Sequence, residues 1–310
     1  MNRKYYEELT FYQKRKTLAE KRAFRDYIQK QARDLGLRTT IYPENKSCKN
    51  VIVGDLRNAK YVICAHYDTA PKLLPLIERN YTYCHKFLEI MSLILGIGLL
   101  VLFYFLNILW LGICFAALGL FSFLRISGFL ATSRKFSYND NTSGIITLLN
   151  LMDTSKDFNQ KVAYVFLDNK EKGLVGSKAL SKMMQNKKMI VQKEDKKFIF
   201  LDCVGIGKDF AISWYRETKF VDKLKDLFIE KCDDKYTITL KEDSRVDVND
   251  YMSFKRFDHA SITCYKNVDK KKKKFLYRDI KPVNDSYIDI KNIEFLSDVL
   301  TEYITNNKGE

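Results

Sequence analysis

Four short polar clusters along the chain contain the residue types that bind divalent metal ions. Histidine and carboxylate side chains together suit zinc, because neutral imidazole and carboxylate oxygens are among its common ligands. Taken singly, each cluster has an ordinary explanation, since a histidine at a strand end is usually a hydrogen-bonded structural residue and an aspartate often caps a helix. The clusters are His66-Tyr67-Asp68, Asp140-Asn141-Thr142-Ser143-Gly144, Asp168-Asn169-Lys170-Glu171-Lys172-Gly173-Leu174 and Asp202.

Predicted strands end at or just before three of these clusters, and a predicted helix begins within the fourth. Each strand is a short β-rich apolar run, and the helix over 143–152 follows Asp140. In open α/β sheets, ligands bind at the carboxyl ends of the strands, so we expect the clusters to meet at one sheet edge. The pairs of strand and polar residue are 61–66 with His66, 162–167 with Asp168, and 198–201 with Asp202.

The alternation of strand and helix patterns along the chain predicts an α/β fold. The run 61–66 is apolar almost throughout, as expected for a strand that helices cover on both faces. We therefore predict a mixed, mostly parallel central sheet flanked by helices. The other predicted strands cover 39–42, 51–56, 210–214, 237–240 and 259–265, and the other helices cover 18–35, 174–184, 221–232, 251–257 and 290–304.

The order of these motifs resembles the M28 family of zinc aminopeptidases. A strand with His-x-Asp is followed by Asp-x-x-Ser-Gly at a helix start, then by a strand with Glu-x-Gly-Leu-x-Gly-Ser, and then by a strand with Asp. The resemblance covers roughly 51–67 and 137–304, and the string KEKGLVGS at 170–177 is its most specific element. It implies a zinc aminopeptidase-like fold and the hydrolysis of peptide N-terminal residues.

The resemblance also implies a role for each matching residue. One zinc ion would be held by His66, Asp140 and Asp202, and Asp68 would orient the imidazole of His66. A second zinc ion would share Asp140 and take Glu171 and a histidine near the C-terminus. In this family the residue before that glutamate is the general base, and the two metal ions polarise the scissile carbonyl and activate a bridging water.

The sequence departs from the family pattern at two of these positions. Lys170 stands at the general-base position, where a protonated ammonium cannot accept a proton from water and its charge opposes a nearby metal ion. Lys281 is the nearest match to the C-terminal histidine. The chain is therefore expected to bind one or two zinc ions, and the second site is the doubtful one.

Two interpretations of the lysine at position 170 remain open from the sequence. In the first, a lysine ammonium replaces the second cation, so that Asp140 and Glu171 stay paired without zinc and catalysis is weak or absent. In the second, another carboxylate such as Asp168 or Glu194 takes the role of the base.

A long uncharged stretch separates the first two clusters. The 35 residues from Ile90 to Leu124 contain no charged side chain, which predicts a hairpin of two membrane spans, 87–106 and 108–124, with its turn at Asn107. A helical hairpin buried in a protein core is the other interpretation. We therefore expect an M28 peptidase-like α/β domain formed by 1–79 and 134–310, interrupted by a hairpin insertion at 80–133.

The charges that flank this stretch predict an orientation. Lys86 precedes it, and Arg125, Arg134 and Lys135 follow it, so the positive-inside tendency places the α/β domain on the cytoplasmic side. An even number of crossings would also return both flanking clusters to one side of the bilayer. The expected location is thus the cell membrane, with several crossings and with residues 87–124 in contact with lipid.

The net charge and the cysteine count indicate which partners and which kind of cysteine chemistry to expect. The formal net charge is +15, from 53 Lys and Arg against 38 Asp and Glu, which favours anionic lipid. We expect no nucleic-acid partner, because no zinc-knuckle spacing or aromatic RNA-binding signature accompanies the lysines. The seven widely spaced cysteines suggest no disulfide framework, and the charged N-terminus does not resemble a cleaved signal peptide.

These inferences combine into two candidate functions from different classes. The first is a membrane-anchored, M28-like zinc metallopeptidase of the aminopeptidase type, with intact or impaired chemistry, that acts on peptide substrates. The second is a catalytically silent M28-like protein with a binding or regulatory role. The substitution at Lys170 is what keeps the second class open.

Overall fold

The structure is a computed structural model that describes residues 3–43, 47–72, 81–126, 130, 132–154, 161–185, 196–232, 235–242, 249–266 and 285–306. It forms two compact units. The first comprises 1–69 and 135–310, and the second comprises 70–134. The assignment of 1–79 and 134–310 to a peptidase-like domain stays a prediction.

The first unit is built on an eight-stranded sheet. Its order is β1-β2-β4-β3-β5-β8-β6-β7, so that β3 lies between β4 and β5 near the middle of the sheet. The strands are β1 (Thr39–Tyr42), β2 (Asn50–Val53), β3 (Tyr61–His66), β4 (Val162–Leu167), β5 (Lys197–Leu201), β6 (Asp209–Trp214), β7 (Thr237–Glu242) and β8 (Asp258–Tyr265).

The centre of the sheet is parallel. β3 pairs in parallel with both β4 and β5, and β8 continues in parallel from β5. β6 and β7 are parallel to each other, whereas β1 with β2, β2 with β4, and β6 with β8 are antiparallel. Every residue of β3 and β4 is buried, because helices cover both faces. The predicted mixed, mostly parallel α/β sheet is therefore confirmed.

Helices flank this sheet and define two apolar layers. One layer contains Leu149, Ile199 and Leu300, and the other contains Leu180, Phe198 and Phe254. Where a helix was expected over 251–257, the structure has a short 3-10 helix, Asp250–Phe254. The helices of this unit are α1 (Arg3–Leu9), α2 (Leu18–Asp34), α5 (Ser143–Thr154), α6 (Val175–Gln185), α7 (Lys219–Lys231) and α8 (Ile290–Asn306).

Helix α2 begins with a reciprocal cap that fixes how the chain enters it. The Thr17 hydroxyl accepts the Glu20 N–H at 3.2 Å, and the Glu20 carboxylate accepts the Thr17 N–H at 2.8 Å. The helix then buries Phe24 and Ile28 in the core. The cap therefore anchors the segment just before α2.

The second unit is a hairpin of two helices, α3 (Tyr81–Phe105) and α4 (Leu109–Ile126). Asn107 makes the turn between them in the left-handed region, with φ of 56°. Glycines let the two backbones touch, since a Cβ placed on Gly119 would lie 2.8 Å from Gly96 Cα. The Phe103 and Phe115 rings stack at 5.5 Å.

The structure corrects the predicted membrane insertion. None of the helices in the described part of the chain combines the length and the apolar character that crossing a membrane requires. The turn leaves two uncharged helical stretches, 90–105 and 109–124, each of 16 residues. At 1.5 Å per residue each measures about 24 Å, short of the roughly 30 Å hydrocarbon core. The predicted spans 87–106 and 108–124 and the predicted cell-membrane location with a cytoplasmic domain are therefore wrong.

Candidate metal centre

Three side chains from separate parts of the sequence meet at the carboxyl edge of the sheet. His66 ends β3, and Asp202 follows the parallel neighbour β5, whose last residue, Leu201, pairs with Ala65. Asp140 lies in the turn just before α5. The ligand atoms of His66, Asp140 and Asp202 all lie within 4.8 Å of one another, and all three residues are buried.

The histidine ring joins the two carboxylates of this cluster. His66 Nε2 lies 3.2 Å from Asp140 Oδ1 and 3.2 Å from Asp202 Oδ1. Its other nitrogen, Nδ1, lies 3.1 Å from the backbone oxygen of Asp68 and 3.6 Å from Asp68 Oδ1. Nε2 thus faces the carboxylates while Nδ1 is held from behind, which is how a metal-binding histidine is usually oriented.

Asp68 links this histidine to the loop after β4. Its Oδ1 accepts the N–H of Lys170 at 2.9 Å, and its Oδ2 accepts the N–H of Glu171 at 3.0 Å. Burial raises the pKa of Asp68, but hydrogen bonding to His66 and the charge of Lys21 lower it more, to about 2. Asp68 is therefore ionised at neutral pH and fixes both His66 and the loop.

The three carboxylates around His66 favour its protonated form. Burial and the Lys170 ammonium lower the pKa of His66, but hydrogen bonds with Asp140, Asp202 and Asp68 outweigh them and place it well above 6.5. A metal ion that binds Nε2 must therefore displace a proton.

The Lys170 side chain contacts a residue of the first predicted zinc site. Its side chain is 4% exposed, and its Nζ lies 2.5 Å from Asp202 Oδ2. Asp202 thus presents Oδ1 to His66 and Oδ2 to the ammonium. The sequence-based hypothesis placed this charge between Asp140 and Glu171, whereas the observed ion pair involves a predicted ligand of the first metal ion.

The remaining predicted residues are not gathered into the same cluster. Glu171 donates its backbone N–H to Asp68, its side chain is half-buried, and its carboxylate is not part of the group of three found among the described residues. Asp168, one alternative base, is buried and pairs with Lys21 at 2.5 Å. Lys281 and Glu194 lie outside the described residues.

The chemistry of the cluster fits one zinc ion. His66 supplies a ring nitrogen, and Asp140 and Asp202 each supply a carboxylate oxygen, which is a donor set that zinc accepts while keeping a fourth position for substrate. The ion pair with Lys170 leaves Asp202 Oδ1 directed at the cluster. The structure therefore contains a candidate His/Asp/Asp metal site, and the metal-binding roles of its residues remain a prediction.

A carboxylate from the C-terminal region holds the turn that carries Asp140. Asp285 is buried, and its two oxygens accept the N–H groups of Asn139 at 2.7 Å and Asp140 at 2.9 Å. The Asn139 amide oxygen in turn accepts the N–H of Gly205 at 2.8 Å. This arrangement fixes the Asp140 backbone through groups that lie far away in the sequence.

The Asp285→Asn substitution tests that contact. An amide offers one acceptor oxygen for two N–H groups, so one charge-assisted hydrogen bond is lost and the free energy of unfolding should fall by about 1.5 to 3 kcal/mol. Asp289→Asn is the matched control, because exposed Asp289 caps α8 through the N–H of Lys291 and asparagine caps equally well. Denaturant unfolding measures both, and equal stability of the two variants would contradict this account.

Several site neighbours were missed by the sequence reasoning. Arg15 and Lys21 come from the N-terminal segment, and nothing in the composition around them indicated contact with a strand end far along the chain. Cys203 follows Asp202 and places its Sγ 3.6 Å from Asp140 Oδ1 and 3.5 Å from Asp202 Oδ1. Its position beside a predicted ligand was the only available signal.

Comparisons with known proteins agree with this fold. A family model described as peptidase family M28 matches residues 128–278. The Legionella pneumophila LapA aminopeptidase has a TM-score of 0.63 at 11% identity, over 99% of this chain and 71% of its own. A Bacteroides thetaiotaomicron glutaminyl cyclase bound to N-acetylhistamine has a TM-score of 0.63 at 16% identity, over 98% of this chain and 96% of its own.

A third neighbour is the Bacillus subtilis zinc aminopeptidase BSAP, with a TM-score of 0.50 at 14% identity over 83% of this chain and 49% of that one. No curated protein matches the chain. At these identities the structural likenesses establish the aminopeptidase-like fold, and together with the family match they support a peptidase-like function.

Proposed function

We propose that this chain is an M28-like zinc metallopeptidase of the aminopeptidase type, with low activity and one zinc ion held by His66, Asp140 and Asp202. The observation that carries the proposal is the buried convergence of these three groups at the carboxyl edge of an aminopeptidase-like sheet. The family match and the aminopeptidase neighbours supply the reaction class.

Each residue of the site has a defined task in this proposal. A zinc ion bound here would supply Lewis-acid polarisation of the scissile carbonyl. Asp68 holds the His66 ring so that Nε2 faces the two carboxylates. Asp285 fixes the Asp140 backbone, and Asp202 directs its Oδ1 at His66.

Lys170 is also what limits the reaction. Its ammonium occupies the family's general-base position and already donates to Asp202, so it cannot take a proton from an attacking water. Without a positioned base, a reaction loses a factor of about 100 to 10,000. Slow hydrolysis is therefore the expected behaviour of this chain.

A second candidate function is favoured by the same ion pair. If the Lys170–Asp202 contact keeps the site too positive for productive chemistry, the chain is a catalytically silent member of this fold that binds a peptide or a regulatory ligand. The two candidates differ in whether any metal-dependent turnover occurs.

Hydrolysis of a leucyl anilide by the purified chain separates these candidates. We expect slow release of the aniline that disappears after chelation and returns with added zinc, because the metal polarises the carbonyl. The N-acetylated anilide is the control, since a peptidase that acts on N-termini should leave a blocked amine intact. Zinc binding without turnover would favour the silent protein, and turnover that survives chelation would contradict both.

A further inference from the structure

Arg15 is the most enclosed cation in the described part of the chain. Its side chain is fully buried, in the short segment between the first 3-10 helix, Thr10–Tyr12, and α2. Its guanidinium lies over the Phe24 ring at 5.3 Å. Burying a guanidinium is unfavourable unless its N–H groups are hydrogen-bonded. The groups that accept these hydrogen bonds therefore indicate which parts of the structure Arg15 holds together.

Apart from the Tyr12 carbonyl, to which Nη1 donates at 2.5 Å, the partners of the Arg15 side chain belong to the two segments that carry His66 and Asp140. Arg15 Nε donates to the backbone oxygen of Tyr67, the residue directly after His66, at 2.5 Å. Arg15 Nη2 donates to Ser137 Oγ at 3.2 Å and to Thr142 Oγ1 at 3.0 Å, on either side of Asp140. One planar group therefore spans both ligand-bearing segments.

The backbone of Arg15 strengthens the first of these connections. Its N–H donates to Thr69 Oγ1 at 3.1 Å, and its carbonyl accepts the Thr69 N–H at 3.3 Å. The neighbouring Gln13 reinforces the second, since its side-chain oxygen accepts the Ser137 N–H at 2.9 Å. The segment 13–15 is thus hydrogen-bonded to both sides of the cluster.

The guanidinium also adds positive charge behind the acidic site. Burial lowers the pKa of Arg15 to about 10, while the charges of Asp68, Asp140 and Asp285 act to raise it. Arg15 therefore stays protonated at neutral pH and is attracted by carboxylates on both segments.

We infer that Arg15 is a positioning residue that clamps the His66 strand end to the Asp140 turn and thereby sets the affinity of the site for zinc. This inference rests on the proposed function only for its second part, because the clamp is a property of the metal-free chain. Arg15 lies outside the residues 128–278 that match the peptidase family, so the family pattern does not assign it this role.

The test compares Arg15→Gln and Arg15→Lys with a matched control. Arg25→Gln also removes a buried arginine beside Tyr67, but Arg25 binds the Tyr67 phenol at 3.1 Å and not its backbone. The first readout is amide hydrogen exchange of residues 137–142 in metal-free protein. The second is the zinc dissociation constant, measured by competition with a chromophoric chelator.

In Arg15→Gln we expect exchange in 137–142 to accelerate about tenfold and zinc to bind about tenfold more weakly, the lower range for residues that support metal ligands. Arg15→Lys should fall between wild type and Arg15→Gln, because it keeps the charge and loses the planar fork. Arg25→Gln should stay within about twofold of wild type in both readouts, since it removes no bond to the clamped backbone.

Three outcomes decide between the parts of this inference. Equal acceleration in Arg15→Gln and Arg25→Gln, or none in either, would overturn the clamp. Faster exchange with unchanged zinc affinity would overturn the link to the metal. If the wild-type chain binds no zinc, the proposed function fails while the exchange comparison still decides the clamp. Arg15→Lys serves as the test variant if Arg15→Gln does not fold.

Discussion

The Lys170→Glu substitution is expected to raise hydrolysis of an aminoacyl anilide by about 100-fold over the wild-type chain. A positioned general base contributes about 100-fold to 10,000-fold, and we expect the lower end of that range. The substitution also removes the ammonium that lies 2.5 Å from Asp202 Oδ2, and so removes positive charge next to the metal site. Both changes act in the same direction.

Two control variants separate the base from the charge. Lys170→Gln removes the ammonium without adding a base, so it should strengthen zinc binding and leave hydrolysis low. Lys172→Glu makes the same change of charge on the same loop, but Lys172 is exposed and should leave the rate within about twofold of wild type. Initial rates at saturating zinc provide the measurement. A measurable wild-type rate that Lys170→Glu leaves unchanged would show that Lys170 does not limit the chemistry.

The sequence predicted the sheet and the meeting of its polar ends because both follow from local patterns. The apolar runs of β3, β4 and β5 marked parallel strands, and parallel strands bring their carboxyl ends to one edge. The sequence placed His66 and Asp202 at one sheet edge, and the parallel pairing of β3 with β5 in the structure brings them side by side. Asp140 was predicted to lie at the same edge because it comes directly before the start of a predicted helix, which is now α5.

The partner of Lys170 could not be predicted in this way. A lysine side chain has four rotatable carbon-carbon bonds, so its position in the sequence leaves several carboxylates within reach. In the structure its buried ammonium pairs with Asp202. The contacts of Arg15, Lys21 and Asp285 are hidden for a related reason, since each bridges segments more than 100 residues apart.

Membrane spans were predicted wrongly in the uncharged stretch because its composition does not show where the helices begin and end. Thirty-five residues without charge predict membrane spans only if the helices within them are long enough. The turn at Asn107 and the charged residues at both ends leave two uncharged pieces of about 24 Å each. The glycines that let α3 and α4 touch were present in the sequence, but their pairing appears only in the structure.

His66→Ala is expected to have the second large effect, on zinc affinity. Zinc sites with four protein ligands bind with about 10 to 16 kcal/mol, so each ligand carries about 3 kcal/mol, which is roughly 100-fold in affinity. The loss should stay near this value, because Asp140 and Asp202 remain as ligands and zinc no longer has to displace a proton from His66. His259→Ala is the matched control, since that buried histidine stacks on Tyr251 and bonds to Phe257.

The zinc site is tested by the zinc content of purified wild-type chain and of these two histidine variants, determined by elemental analysis after dialysis. We expect one zinc ion per chain for the wild type and for His259→Ala, and almost none for His66→Ala. Two zinc ions per wild-type chain would contradict the single site, and a full complement of zinc in His66→Ala would contradict the cluster of His66, Asp140 and Asp202 as the place where it binds.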